Sequence, residues 1–196
     1  KQIGKLFSSD FFFTIPDYQR PFAWDERNFQ DLIDDLISAK GDEQYFLGTL
    51  VLHKKAEKNT YDVVDGQQRL TSLLILIACI RDLITDPKFK TNLQGKIVQE
   101  ENKVDGIPEL PRISVKDRQT FREIVLEENG TNKKYKEDQL AEPQTRYIKA
   151  IDIFKGALKN FSEEELQKFV QFINQRCMVI YLSTSTFGDA FHLFTI

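Results

Sequence analysis

Cysteine is scarce: only Cys79 and Cys177 occur in 196 residues. Cys79 falls in an apolar helical stretch and Cys177 leads an apolar strand. Both are expected as buried, reduced thiols of a cytoplasmic protein rather than as a disulfide or a metal site. Long apolar runs are also missing. The longest, Leu73 to Ile80, is far short of the roughly 20 residues that span a bilayer, and no signal-peptide pattern is visible, so no membrane partner is expected. There is no excess of positive charge. Lys and Arg number 27 against 30 Asp and Glu, for a net charge of −3 and a pI near 5.5. Bulk attraction to nucleic acid or to an anionic membrane is therefore not predicted, although a local basic groove stays open. No GxxxxGK[ST] segment occurs, which excludes an ordinary P-loop. No internal repeat is visible. The chain starts at Lys1 rather than Met and stops inside the apolar run "AFHLFTI", so it is expected to be a fragment of a longer protein.

What is present is a globular balance, with 41% hydrophobic and 29% charged residues, in a chain long enough to bury a core. Phe11 to Ile15 reads as a short strand, followed by the proline-bounded loop "PDYQRPFAW". Asp25 can cap a helix with its apolar stripe at Phe29, Leu32, Ile33, Leu36 and Ile37. Tyr45 to about Lys54 and "YDVVD" read as an antiparallel hairpin. A buried helix follows from Gln67 to about Ile84. Helices are then expected over Lys88–Glu101, Lys116–Glu128 and Gln144–Asn160. "RISV" reads as a short strand and "EENGTNKKYKED" as an exposed connection. Ser162 with Glu165 forms a capping-box pattern for a helix over Glu163–Asn174. "RCMVIYLST" predicts a strand, and a helix begins at Gly188. The fold class is α+β. Residues 1–85 are expected to form a core, and 86–196 a mostly helical extension that returns to it with a strand at about 176–184.

The stretch "YDVVDGQQRLTSL" concentrates polar chemistry where an oily helix begins. The first turn of a helix has N–H groups without partners and a partly positive end. Gly66 permits a sharp turn and close approach of an anion to the backbone. Arg69, on that first turn, has a planar fork suited to phosphate. Together they form a candidate phosphate cradle. Asp65 could hold a metal ion or accept from a ribose hydroxyl, and Gln67 and Gln68 could bind a base edge or orient a water. The competing reading is a turn in which Asp65 merely caps the helix and Gln67, Gln68 and Arg69 are solvated.

A second cluster lies in "IPDYQRPFAW". Tyr18 and Trp24 can stack on a base, Arg20 can pair with phosphate or an acid, and Gln19 adds an amide. Its competing reading is a loop packed on the core by its aromatics, with Arg20 in a structural ion pair.

"IPDYQRPFAW", "YFLGTLVL" and "DGQQRLTSL" occur in this order in the GmrS-type domain of modification-dependent restriction enzymes and related phage-defence proteins, which the chain resembles over about Ile3 to Ile80. The terminal "DAFHLFTI" resembles the family's later segment leading to an Asn-Arg-Gly turn, which would lie beyond Ile196. Residues 86–141 show no matching motif. The resemblance implies a small mixed sheet with packed helices, similar to ParB and sulfiredoxin, in which Gly66 and Arg69 take the places of a phosphate-binding Gly-x-x-Arg turn. It implies a nucleoside triphosphate hydrolase working with Mg²⁺ and linked to sensing or cutting modified DNA. Asp65, Gln67, Gln68 and Arg69 would serve catalysis, and Asp65 would hold the metal. Gly66, Arg69, Tyr18, Gln19, Arg20 and Trp24 would bind nucleotide. Nucleotide, DNA reached through the full-length protein, and a C-terminal His-Asn-His nuclease domain or partner subunit are the implied partners. His53 and His192 lie in no nuclease motif and are read as structural. The alternatives are a DNA-binding module that uses the same cleft without hydrolysis, and a regulatory scaffold with a degenerate site.

Overall fold

The computed structural model describes residues 1–195. Along the chain run α1 (Ile3–Leu6), β1 (Phe12–Thr14), α2 (Glu26–Ala39), β2 (Tyr45–Lys54), β3 (Thr60–Asp65), α3 (Gln67–Leu83) and α4 (Pro87–Ile97). Then come β4 (Val98–Gln99), β5 (Leu110–Pro111), β6 (Ile113–Ser114), α5 (Arg118–Phe121), α6 (Glu142–Leu158), α7 (Glu163–Arg176), β7 (Cys177–Thr184) and α8 (Phe187–Thr195). This is the α+β arrangement expected from the sequence. The main sheet has five strands in the order β6-β1-β3-β2-β7. Only the β2–β3 hairpin is antiparallel; β1 pairs in parallel with β3 and β6, and β2 in parallel with β7.

Alternation along the strands sorts the two faces. Phe13, Leu50, Leu52 and Val63 join one hydrophobic cluster with α3. Val51 and Val64 turn the other way and meet Ala190 of α8. The larger cluster runs from Ile3 to Val179. At its centre is α3, buried at every position from Leu70 to Arg81 and packed on α4, α6 and α7. Amphipathic helices close around it. In α2, Asp25 accepts from Asn28 N at 3.0 Å while Asn28 accepts from Asp25 N at 3.1 Å, closing a capping box over the buried Phe29, Leu32, Ile33 and Leu36. Ser162 and Glu165 do the same for α7. Both thiols are free and buried, and burial pushes each up to about 12, so they are poor nucleophiles. No described helix is long and apolar enough to cross a membrane.

The structure departs from expectation in four places. Residues 3–6 form a helical turn where none was predicted. The helix expected over Lys88–Glu101 ends at Ile97, and Val98–Gln99 pairs with Leu110–Pro111. The helix expected over Lys116–Glu128 is a short α-turn at Arg118–Phe121 that widens into a π-turn at Arg122–Leu126, with Phe121, Ile124 and Val125 inward as predicted. Within the segment expected to be exposed, Gly130 and Thr131 are buried. The cause is a charged pair inside α3. The Asp82 carboxylate accepts from Asn129 N, Thr131 N and the Thr131 hydroxyl. Beside it, Arg81 donates to the carbonyls of Val125, Leu126 and Glu127 and to Gln94.

Candidate phosphate-binding cleft

The hairpin delivers Asp65-Gly66 to the start of α3, and two irregularities in its strands shape what surrounds them. Along β2 and β7, Phe46 pairs with Met178 but Thr49 with Ile180, so β2 carries one extra residue. Gly48 sits in this bulge with φ +110°, as the conformation demands. A Cβ there would lie 2.6 Å from Arg69 Nη1. The bare glycine is what makes room for the Arg69 guanidinium against the strand. Between β2 and β3, Val51 pairs with Asp65 and Leu52 with Val63, leaving Val64 as the extra residue. Its carbonyl accepts from Gln19 Nε2 at 3.0 Å.

Gly66 is the N-cap of α3, at φ +92°, and no side chain caps the helix. Asp65 is therefore not a cap. A Cβ at Gly66 would meet Leu50 Cδ2 at 2.4 Å and the Thr49 carbonyl at 3.1 Å, so glycine is required by close packing on β2 as well as by its φ. Gln68 reaches away from the helix end to the loop at 21–24. Its Oε1 accepts from Ala23 N at 2.8 Å and Trp24 N at 3.2 Å, and its Nε2 donates to the Pro21 carbonyl at 3.1 Å. From the other side, Arg146 of α6 donates to the carbonyls of Ala23 and Trp24. Phe22 anchors the loop in the core against Phe29 and Tyr147, with ring centroids 5.6 and 5.1 Å away. The two glutamine-containing motifs are thus stitched together by Gln19 and Gln68, whose amides are committed to backbone partners.

Between the stitched walls lies a cleft of about 500 Å³, lined by Gln19, Arg20, Trp24, Asp65, Gly66, Gln67, Gln68 and Arg69 with Ala23 and Val64. The side chains of Arg20, Arg69, Asp65 and Gln67 make no hydrogen bond or ion pair among the described residues. Two guanidinium groups and an uncapped helix end share the cleft with one carboxylate, and Arg69 also borders a neighbouring cavity that holds Asp31 and Asp35. Of the residues singled out from the sequence, only Tyr18 is placed elsewhere. It is 60% exposed, packs edge-on against Phe187 at 5.3 Å, and lines a separate cavity with Lys55, Asp62 and Arg118. The loop turns at Pro16, where Gln19 N bonds the Pro16 carbonyl, and this sends neighbouring side chains to opposite sides. Tyr18 therefore does not close the cleft.

Sequence reasoning passed over Gly48, although a glycine amid apolar strand residues marks a bulge or a close approach. Val115, Lys116, Asp117 and Tyr147 were also missed. They line a second cavity that shares Gln19, Arg20, Gln67 and Gln68 with the cleft.

A mixed five-stranded sheet whose hairpin feeds an uncapped, arginine-bearing helix start defines an α+β domain with one candidate ligand cleft. The chain belongs to the family described as the GmrSD restriction endonuclease N-terminal domain, whose model matches residues 3–196. That membership gives it a role in restriction and phage defence. No curated protein matches the chain.

Proposed function

We propose that this domain binds, and hydrolyses, a nucleoside triphosphate within a restriction system. The observation that carries this reading is the pair of unpartnered arginines, Arg20 and Arg69, in one cleft at the uncapped start of α3. Arg81 and Arg146 show how a structural arginine is held here, by backbone carbonyls and carboxylates, and the side chains of Arg20 and Arg69 have neither kind of partner among the described residues. The first-turn N–H groups and Arg69 would hold phosphate oxygens, with Arg20 opposite. Of the two adjacent glutamines, Gln67 has its amide free to orient water, while Gln68 positions the loop. Phosphoryl transfer to water depends mainly on such positioning and on charge stabilisation.

No group of three or more His, Cys, Asp or Glu suited to a metal occurs among the described residues. The lone Asp65 still fits Mg²⁺, which commonly takes one or two protein carboxylates and completes its shell with substrate phosphates and water. When bound, the ion would neutralise charge developing on the phosphates. The DNA on which restriction acts would be met by the full-length protein.

The test is titration with nucleoside triphosphates and Mg²⁺, read by binding and phosphate release, on wild type and Arg69→Ala. A lost charge-assisted contact is worth about 1.5–3 kcal/mol, or roughly tenfold to over a hundredfold in affinity. Melting should barely move, because alanine is a good helix former and Arg69 has no partner to lose. Leu73→Ala is the contrast. Leu73 is 1% exposed, and its loss should cost about 2–5 kcal/mol through a cavity. Full nucleotide binding by Arg69→Ala, or a large drop in its melting temperature, overturns the assignment. Salt-dependent duplex binding without nucleotide would instead support a DNA-phosphate cleft.

A further inference from the structure

The second cavity has about 290 Å³ of space, just under the roughly 300–1,000 Å³ typical of ligand sites. Its floor is aromatic and apolar. Phe22 and Tyr147 lie in ring contact, with Ile15, Val115 and Pro143 beside them. Thr71 is one α3 turn beyond Gln67 and is 3% exposed. Polar groups occupy the rim: Lys116, and Asp117, whose carboxylate accepts from Gln144 Nε2. The cavity adjoins the cleft through the shared walls of Gln19, Arg20, Gln67 and Gln68. A ligand with an anionic end and a flat, mostly apolar end matches the two spaces in sequence.

We infer that this second cavity is the nucleobase subsite, so that residues 115–117 and the start of α6 select the nucleotide whose phosphates sit at α3. The inference rests on the phosphate reading of the cleft. It assigns a task to a part of the chain in which no motif is legible. Phe22 and Tyr147, packed on each other in the core, give the cavity an apolar wall against which a flat base can lie, and the Asp117 and Lys116 groups offer hydrogen bonds to base edges.

The test is calorimetric titration of ATP, GTP, CTP, UTP and inorganic tripolyphosphate, each with Mg²⁺, into wild type and two cavity-filling variants. Pro143→Trp fills from the partly exposed helix start, and Val115→Phe fills from the opposite wall should the first variant fold poorly. Wild type should bind at least one nucleotide more than tenfold tighter than tripolyphosphate. The filled variants should lose that advantage while keeping tripolyphosphate affinity within about twofold. Equal binding of nucleotides and tripolyphosphate by wild type, or an undiminished nucleotide preference in both variants, overturns the base subsite and leaves the phosphate cleft standing. Failure of wild type to bind any of the five overturns both. Loss of single-stranded oligonucleotide binding in the variants with nucleotide affinity intact would overturn the assignment in favour of a DNA base.

Discussion

Gln67 and Gln68 are adjacent in sequence and opposite in duty. One amide of Gln68 engages three backbone groups of the loop at 21–24, whereas the Gln67 amide faces both cavities unpartnered. Each hydrogen bond contributes about 0.5–1.5 kcal/mol net. Because the loop is partly exposed, water replaces some of that in a truncated variant. Gln68→Ala is therefore expected to cost about 1–2 kcal/mol in urea unfolding and to speed hydrogen exchange at the Ala23 and Trp24 amides. Nucleotide affinity should fall as well, because Arg20 loses its support. Gln67→Ala should stay within about 0.5 kcal/mol of wild type, as for other surface changes, and slow phosphate release. If the two variants lose stability equally, or if only Gln68→Ala slows release, the division of labour is wrong.

At the scale of elements, the cleft depends on two bulges. The Gly48 bulge in β2 clears space for Arg69, and the Val64 bulge in β3 frees a carbonyl for Gln19. Gly48→Ala carries two penalties: a positive-φ strain of about 1–2 kcal/mol, and a clash with the Arg69 fork. Only the clash should vanish in an Arg69→Ala background. Unfolding of the single and double variants should show Gly48→Ala costing measurably less in that background, and strict additivity would rule out the clash. The sheet's hairpin, α2, α3 and α7 were all legible beforehand. Each carries a signal of several residues: two apolar runs joined by a polar turn, an apolar stripe, an oily run or a capping box. The pairing of Val98–Gln99 with Leu110–Pro111 was not legible, because a strand of two residues has no period to read. Nor could a bulge be counted before the partner strand was known. The residues that line the cleft were largely visible in the two glutamine-containing motifs. The committed amides of Gln19 and Gln68 were not, because their partners are backbone groups 44 to 47 residues away.

For the whole molecule, the question is how residues 86–196 are joined to the hairpin and α3. Apolar packing does most of it, since one cluster includes α3, α4, α6 and α7. Polar specificity comes from Arg81 and Asp82, whose side chains are fully buried and paired at 2.7 Å. Together they hold the chain from Val125 to Thr131 against α3. Burial works to raise the Asp82 carboxyl. The hydrogen bonds and charge of Arg81, with donors from Thr131 and Asn129, outweigh it and hold the group below its ordinary value. A carboxylate depressed in the folded state stabilises the fold above its unfolded pKa, about 3.9 for Asp. That contribution fades as pH falls through the lower folded value. Asp82→Asn removes the charge and leaves Arg81 buried without its counter-ion. Such a change typically costs about 3–5 kcal/mol, here moderated by the carbonyls and Gln94 that Arg81 keeps. Urea unfolding at pH 7, 5 and 3 should show the variant well below wild type at the two higher values. At pH 3 the gap should be narrower, because the wild-type protein alone is losing this carboxylate's contribution. A gap that stays constant from pH 7 to pH 3 would mean that the charge of Asp82 is not what ties this segment to α3, and that the loss comes from hydrogen bonding alone: Asn129 bonds one carboxylate oxygen and Thr131 the other, and the asparagine NH2 cannot accept in place of the oxygen it replaces.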